Sequence, residues 1–363
     1  MAVHHIIDAH EDIAWNVLTF GRDYTRSAAE TRRLEKETQI PLRTGDALLG
    51  WPEYQSGGVL LVFGTLFASP IRRRPGDWAT QSYADYDQAH QMYMAQVNVY
   101  NDMAETHSDK FRTVKTVSDL NAVLLDWESP QEGHPVGLVI LMEGAEGVRT
   151  PGELEEWWRA GVRIIAPAWA GTRFCGGTRE PGPLTDDGRA LLMEMSALGF
   201  TLDLSHMDEQ AALQALDCYP GAMIVSHANA AALIANYAGN RLLGDNLIKR
   251  ILSRDGIIGV VPYCRFLRND WKPEEGRDNL TLETLADHID HICQLAGDVK
   301  HVGIGSDFDG GFGLSAAPAD VDTVADLQRL VPILSNRGYT DTEISAVLSA
   351  NWLRHLKDHL PGQ

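Results

Sequence analysis

Cysteine is scarce and scattered in this sequence of 363 residues. The only four are Cys175, Cys218, Cys264 and Cys293. None belongs to a C-x-x-C pair, and their wide spacing matches no thiolate zinc knuckle. Free thiols in a reducing compartment are the expectation. Basic residues are short too: 31 Lys and Arg stand against 50 Asp and Glu, a formal net charge of -19. Such a surface repels phosphate backbones and anionic lipid. With no basic, aromatic-interleaved patch to offset it, no nucleic-acid partner is expected. A run of about 18 apolar residues free of charge is missing, so no membrane span is predicted. The first residues, "MAVHHIIDAHED", lack a basic stretch followed by a long apolar run, the mark of a signal peptide. These absences predict a cytoplasmic protein. No repeat, low-complexity tract or Pro/Ser-rich linker divides the chain. Residues 1–363 are therefore expected to form a single domain.

What recurs is a short apolar run followed by a helix-like stretch. Eight runs stand out: His4–Asp8, Gly58–Leu66, Val136–Met142, Arg163–Pro167, Thr201–Ser205, Ala222–Ser226, Ile257–Pro262 and His301–Ser306. Most are continuously apolar, which suits parallel strands covered on both faces. Between them, Thr185–Leu198, Thr281–Ala296 and Asp341–His359 carry helix capping signals. Eight strands with interleaved helices predict a (β/α)8 TIM barrel with a C-terminal helix. Such barrels use about 250 residues, which leaves roughly a hundred for long loops. Three connections look long enough to cover a site: 18–57, 168–183 and 263–280. A doubly wound open sheet competes, but no G-x-G-x-x-G follows the first run.

The C-terminal ends of these runs hold the chemistry. The first leads into His10 and Asp12, the third ends at Glu143, the fifth at His206, the sixth at His227 and the eighth at Asp307. Any one of them alone has a bland reading, a helix cap or a core histidine. In a barrel, all those ends meet at one mouth. Clustered carboxylates repel one another and resist ionisation unless a cation meets them. Nitrogen and oxygen donors without sulfur suit Zn2+, Mn2+, Co2+ or Fe2+. The H-x-D spacing puts His10 and Asp12 on one face of an extended segment. Glu143 lies between the two groups in barrel order and is the natural bridge of a two-ion site. Tyr263, ending the seventh run, is a candidate pocket residue. His288 and His291 are read as solvated helix surface beside Asp287 and Asp290, and Trp157-Trp158 as packing.

Together "DAHED", "MEGAEG", "LDLSH", "VSHANA", "GIGSDFDGG" and, near the end, "ANWLR" resemble the renal (membrane) dipeptidase family, peptidase family M19 of the amidohydrolase-like barrels. The resemblance runs from His5 to about Leu356. It implies two zinc ions and hydrolysis of a dipeptide by a metal-bridging hydroxide. His10 and Asp12 would hold one ion, His206 and His227 the other, with Glu143 between them. Asp307 would lie near the first ion and carry the proton. Arg241 would grip the substrate carboxylate, and a homodimer is implied. Two positions depart from the family. Trp169 stands where a histidine polarises the substrate carbonyl, and Glu146 replaces the histidine of "EGGH". Trp169 points to changed specificity or serves as a pocket wall, and Arg173 is a candidate for the missing positive charge. Another amide, a lactone or an ester is the competing substrate class, and a non-catalytic metal-binding protein the third reading. Asp309 is expected to orient the loop, and the charge facing "GIGSDFDGG" to be a divalent cation rather than a lysine or arginine.

Overall fold

The computed structural model describes residues 3–362. Eight parallel strands close into a barrel. They are β1 (Ile6–Glu11), β2 (Val59–Phe67), β3 (Val136–Glu143), β4 (Val162–Ala166), β5 (Thr201–Asp203), β6 (Met223–Val225), β7 (Ile257–Val260) and β8 (Val302–Ile304). Each pairs with its neighbours in chain order, and β8 returns to β1 at Asp8↔Ile304. The β2–β3 seam is the longest, in continuous register from Leu61↔Gly137 to Phe67↔Glu143. A short extra strand, Phe111–Thr113, pairs with the first half of β3. Nearly every strand residue is buried, which is why the runs are apolar throughout rather than alternating. The expected (β/α)8 barrel is the fold observed.

Strand limits differ from the apolar runs for local reasons. β1 starts later and continues to Glu11, because Glu11 still pairs with Gly64 of β2. β5 and β6 stop early. The amides of Ser205 and Ser226 leave the ladder and donate to Asp203 Oδ1, both at 2.9 Å. Thr185 caps the helix Asp186–Leu198 as expected, accepting from the Gly188 amide. Thr281 makes no such cap. The remote Asp320 carboxylate takes the Leu282 amide instead. The last helix is broken into Asp341–Ser345 and Asn351–His359 by a wide turn at Ala346–Ala350.

That closing segment is tied to β8. Trp352 Nε1 donates to the Ile304 carbonyl at 3.0 Å, and Asn351 Nδ2 to Val302 at 2.8 Å. Gly303 makes this possible, since a Cβ there would lie 2.2 Å from the indole nitrogen. His288 is not solvated surface. It is 1% exposed, with Nδ1 3.3 Å from the Ala230 amide, and His291 meets Asp245 at 2.8 Å. Their helix, Leu282–Ala296, packs against its neighbour Asp245–Leu252, so the apparent charged face is a shared one. Trp157 is core and Trp158 packs beside it, as read. Among the described residues, no helix is long and apolar enough to cross a membrane.

At the C-terminal mouth, the three expected connections acquire structure. The first is helical in four pieces between Ile13 and Gly57. The second forms a hairpin, Cys175–Gly177 with Glu180–Leu184, and the third a short helix, Cys264–Leu267.

Candidate active site

The strand ends bring the six predicted side chains together. Glu143 Oε1 lies 3.0 Å from His206 Nε2, 3.5 Å from His227 Nε2 and 3.6 Å from His10 Nε2. His206 Nε2 and His227 Nε2 are 3.0 Å apart, and Asp307 Oδ1 is 4.0 Å from His10 Nε2. Three sets of donor atoms are each compact enough for one ion: His10, Asp12 and Glu143; Glu143, His206 and His227; and His10, His227 and Asp307. Glu143 belongs to the first two.

The surroundings fix which way these groups face. Ser226 Oγ donates to Asp203 Oδ2 at 2.6 Å. Its remaining lone pairs face His227 Nδ1 at 2.8 Å and His10 Nδ1 at 3.2 Å. Both imidazoles must then carry their proton on Nδ1, so both Nε2 lone pairs aim at the cluster. His206 Nδ1 meets Thr178 Oγ1, on the hairpin, at 2.9 Å. Thr65 donates to Asp12 at 2.5 Å and holds it in place. His206 and Asp307 both adopt left-handed backbone, φ 65° and 59°. Non-glycine residues enter that region at a cost that surrounding structure must outweigh, as at ligand clamps.

Burial dominates the electrostatics of the cluster. Burial holds His10, His206 and His227 well below the ordinary imidazole range, with Arg241 adding to the effect. They are neutral and offer no charge to Glu143. Burial, then Asp12 and Asp307, pushes Glu143 well above the carboxylic range, and burial followed by Asp12 does the same to Asp307. Asp12 is pushed up to about 6, again by burial first. His10 Nε2 is buried without any partner. Imidazole lone pairs turned toward three buried carboxylates, with Arg241 the cation beside them, are a donor set suited to divalent cations.

Arg241 lines the same space. It is buried, its Nη2 donates to the His227 carbonyl at 2.7 Å, and its plane lies over Phe266. Its Nε and Nη1 have no partner. The Trp169 ring sits 5.0 Å from that of Phe67 and 6.2 Å from that of His206. Tyr263 stacks on Phe312 at 4.3 Å. Arg173 Nη2 donates to the Val148 and Arg149 carbonyls, and its guanidinium lies over Tyr86.

Asp309 has a protein cation, contrary to expectation. Arg22 Nη1 is 3.2 Å from its Oδ2, Tyr24 donates to the same oxygen, and the Leu48 amide donates to Oδ1 at 2.9 Å. Asp309 thus fastens the first long connection to the end of β8, the loop-orienting part expected of it. The sequence reading missed Arg22, Ser226 and Asp203. The serines before His206 and His227 in "LSH" and "VSH" were the available signal.

A barrel that gathers imidazoles and carboxylates at its C-terminal mouth is of the metal-dependent hydrolase class. The chain belongs to the membrane dipeptidase family, peptidase family M19, whose model matches residues 1–359. It is 34% identical over 244 residues to a Klebsiella pneumoniae protein of the pqqA 5' region, covering 64% of this chain and 86% of that one. It is 28% identical over 270 residues to dipeptidase verJ of Clonostachys rogersoniana, covering 72% of this chain and 63% of that relative's length. A Rhodobacter sphaeroides metallopeptidase, solved with a phosphinate mimic of the dipeptide L-Ala-D-Ala, superposes over 99% of this chain and 100% of its own, with a TM-score of 0.79. At 22% identity, that likeness speaks for the fold.

Proposed function

We propose that this chain is a binuclear metal-dependent dipeptidase of altered specificity, zinc being the ion the family implies. The observation that carries the reading is the position of Glu143 Oε1, faced by three imidazole nitrogens, those of His10 and His227 with their protons held at Nδ1. His10, Asp12, Glu143, His206 and His227 would hold the ions, with Glu143 common to both donor sets. When bound, the two cations supply Lewis acidity and lower the pKa of water to near neutrality. Arg241, with two free donor nitrogens, takes the substrate's terminal carboxylate in the fork geometry guanidinium favours. That fixes the peptide across the mouth, its C-terminal end toward β6. Asp307 accepts a proton from the attacking water and returns it to the departing amine, so one water is consumed and no net proton moves.

The relative from Rhodobacter sphaeroides binds a mimic of L-Ala-D-Ala. A peptide with a D-residue at its C-terminal end is accordingly the first substrate to try here. Trp169 favours a second reading, in which the substrate is another amide, a lactone or an ester. An indole N–H donates one hydrogen bond and takes no proton, so a carbonyl gains less polarisation from it than from imidazolium.

Metal analysis combined with a panel of L-Xaa-L-Xaa and L-Xaa-D-Xaa dipeptides tests the proposal. About two ions per chain and turnover of at least one dipeptide are expected. Asp307→Asn should keep its metals and lose about 10²–10⁴ in turnover. Metal-loaded protein that cleaves esters or lactones but no dipeptide selects the second reading.

A further inference from the structure

A cavity of about 540 Å³ opens among the loops that follow β2, β3 and β4. One backbone segment leads to it from the metal-ligand cluster, Glu143 to Glu146, and a second, Trp169 to Thr172, starts beside His206. Three residues span at most about 10 Å, so the cavity is close to the cluster. Glu146 lines it while being only 5% exposed. Its Oε1 accepts from the Arg173 amide at 3.0 Å, and its Oε2 is buried with no partner. Burial raises its pKa above the ordinary range. An unsatisfied buried carboxylate oxygen is costly unless a ligand completes it.

Of the cations in the wall, Arg72 is paired with a carboxylate and Arg173 is held by carbonyls. Arg72 is paired bidentately with Glu180, at 2.8 and 3.2 Å. Arg173 gives its Nη2 to two carbonyls and lies over Tyr86, while its Nε is buried without a partner. Asp85, at the rim, caps the helix Tyr86–Thr106. Glu146 thus brings to the cavity wall a carboxylate oxygen that no donor meets, beside the Arg173 guanidinium. Tyr83 and Tyr86 add aromatic surface, and the latter already carries one guanidinium.

Resting on the dipeptidase reading, we propose that this cavity is the subsite for the side chain on the N-terminal side of the scissile amide, and that Glu146 selects a cationic side chain there. The orientation follows from Arg241. With the terminal carboxylate held after β6, the other end of the peptide points across the mouth toward the loops after β2, β3 and β4. Arginine and lysine side chains fit the volume and carry the charge a carboxylate would meet.

The test compares L-Arg-D-Ala and L-Lys-D-Ala with L-norleucyl-D-Ala, which has lysine's length without its charge, and repeats the set with L-Ala as the second residue. The kcat/KM ratio of the cationic to the norleucyl peptide should be about tenfold or more, the range expected for a hydrogen bond to a charged group. Glu146→Gln should bring that ratio near one, and Glu146→Asp, which withdraws the charge by one methylene, should lower it part-way. Equal turnover of lysyl and norleucyl peptides would keep the hydrolase reading and overturn the subsite. So would a preference that persists in Glu146→Gln protein. Protein with two metals and no activity on any of these peptides fails the dipeptidase reading, and the subsite falls with it.

Discussion

Ser226 sets the protonation of two imidazoles at once. By giving its own proton to Asp203, it obliges His10 and His227 to present bare Nε2 atoms to the cluster. Ser226→Ala removes that constraint while leaving the donor atoms in place. Its affinity for zinc should fall about 10–100-fold, measured by competition with a chromophoric chelator. An unchanged affinity would mean that the barrel backbone alone orients the rings. Trp169 makes the opposite kind of prediction. Trp169→His restores a group able to become cationic beside the substrate carbonyl. Turnover of simple dipeptides should rise, by up to about 10²–10³ if the carbonyl is otherwise unassisted. No gain on any dipeptide would make the indole a wall and nothing more. The six clustered residues were legible because each follows an apolar run, and a barrel sends all such ends to one place. Arg22 was not legible. It meets Asp309 across nearly the whole chain, and no local pattern records a partner that distant.

At the scale of elements, the runs foretold all eight strands, and their errors were errors of length. β5 and β6 end where the Asp203 carboxylate captures two amides, a competition between side chain and ladder that hydrophobicity does not register. His288 was misjudged because Asp287 and Asp290 flank it in sequence, while the helix turns it inward. The closing helix carries a related histidine. His355 is buried against Thr201, and burial lowers its pKa from 6.5 to about 3. Its neutral form is the one that fits the fold. The unfolded chain therefore binds more protons between those values, so stability is present above pH 6.5 and is lost as pH falls toward 3. At about 1.4 kcal/mol per unit, its share is about 2 kcal/mol by pH 5. Urea unfolding at pH 7 and pH 5 should show a smaller loss in His355→Gln than in the parent. Parallel losses would assign the acid sensitivity to other groups.

For the molecule as a whole, the proposed metal site would tie stability to metal. Ions held by the cluster would have no comparable site in the unfolded chain, because the proposed ligands are separated by up to 297 residues, from His10 to Asp307. Each ion at a hundred times its dissociation constant should add about 2.7 kcal/mol. The melting temperature should rise with added zinc and fall with chelator, both reversibly. A melting curve indifferent to chelator would place the ions outside the cooperative unit. The pairing of β1 with β8, locked by Trp352 behind Gly303, has a consequence of timing. At a ribosome adding about 5–20 residues per second, β1 waits on the order of tens of seconds for its second neighbour. During that interval, the open edges of β1 and of the growing sheet are free to pair with another chain. The nascent protein is thus most vulnerable to aggregation just before its last strand arrives, and a chaperone that shields strand edges would act in that window.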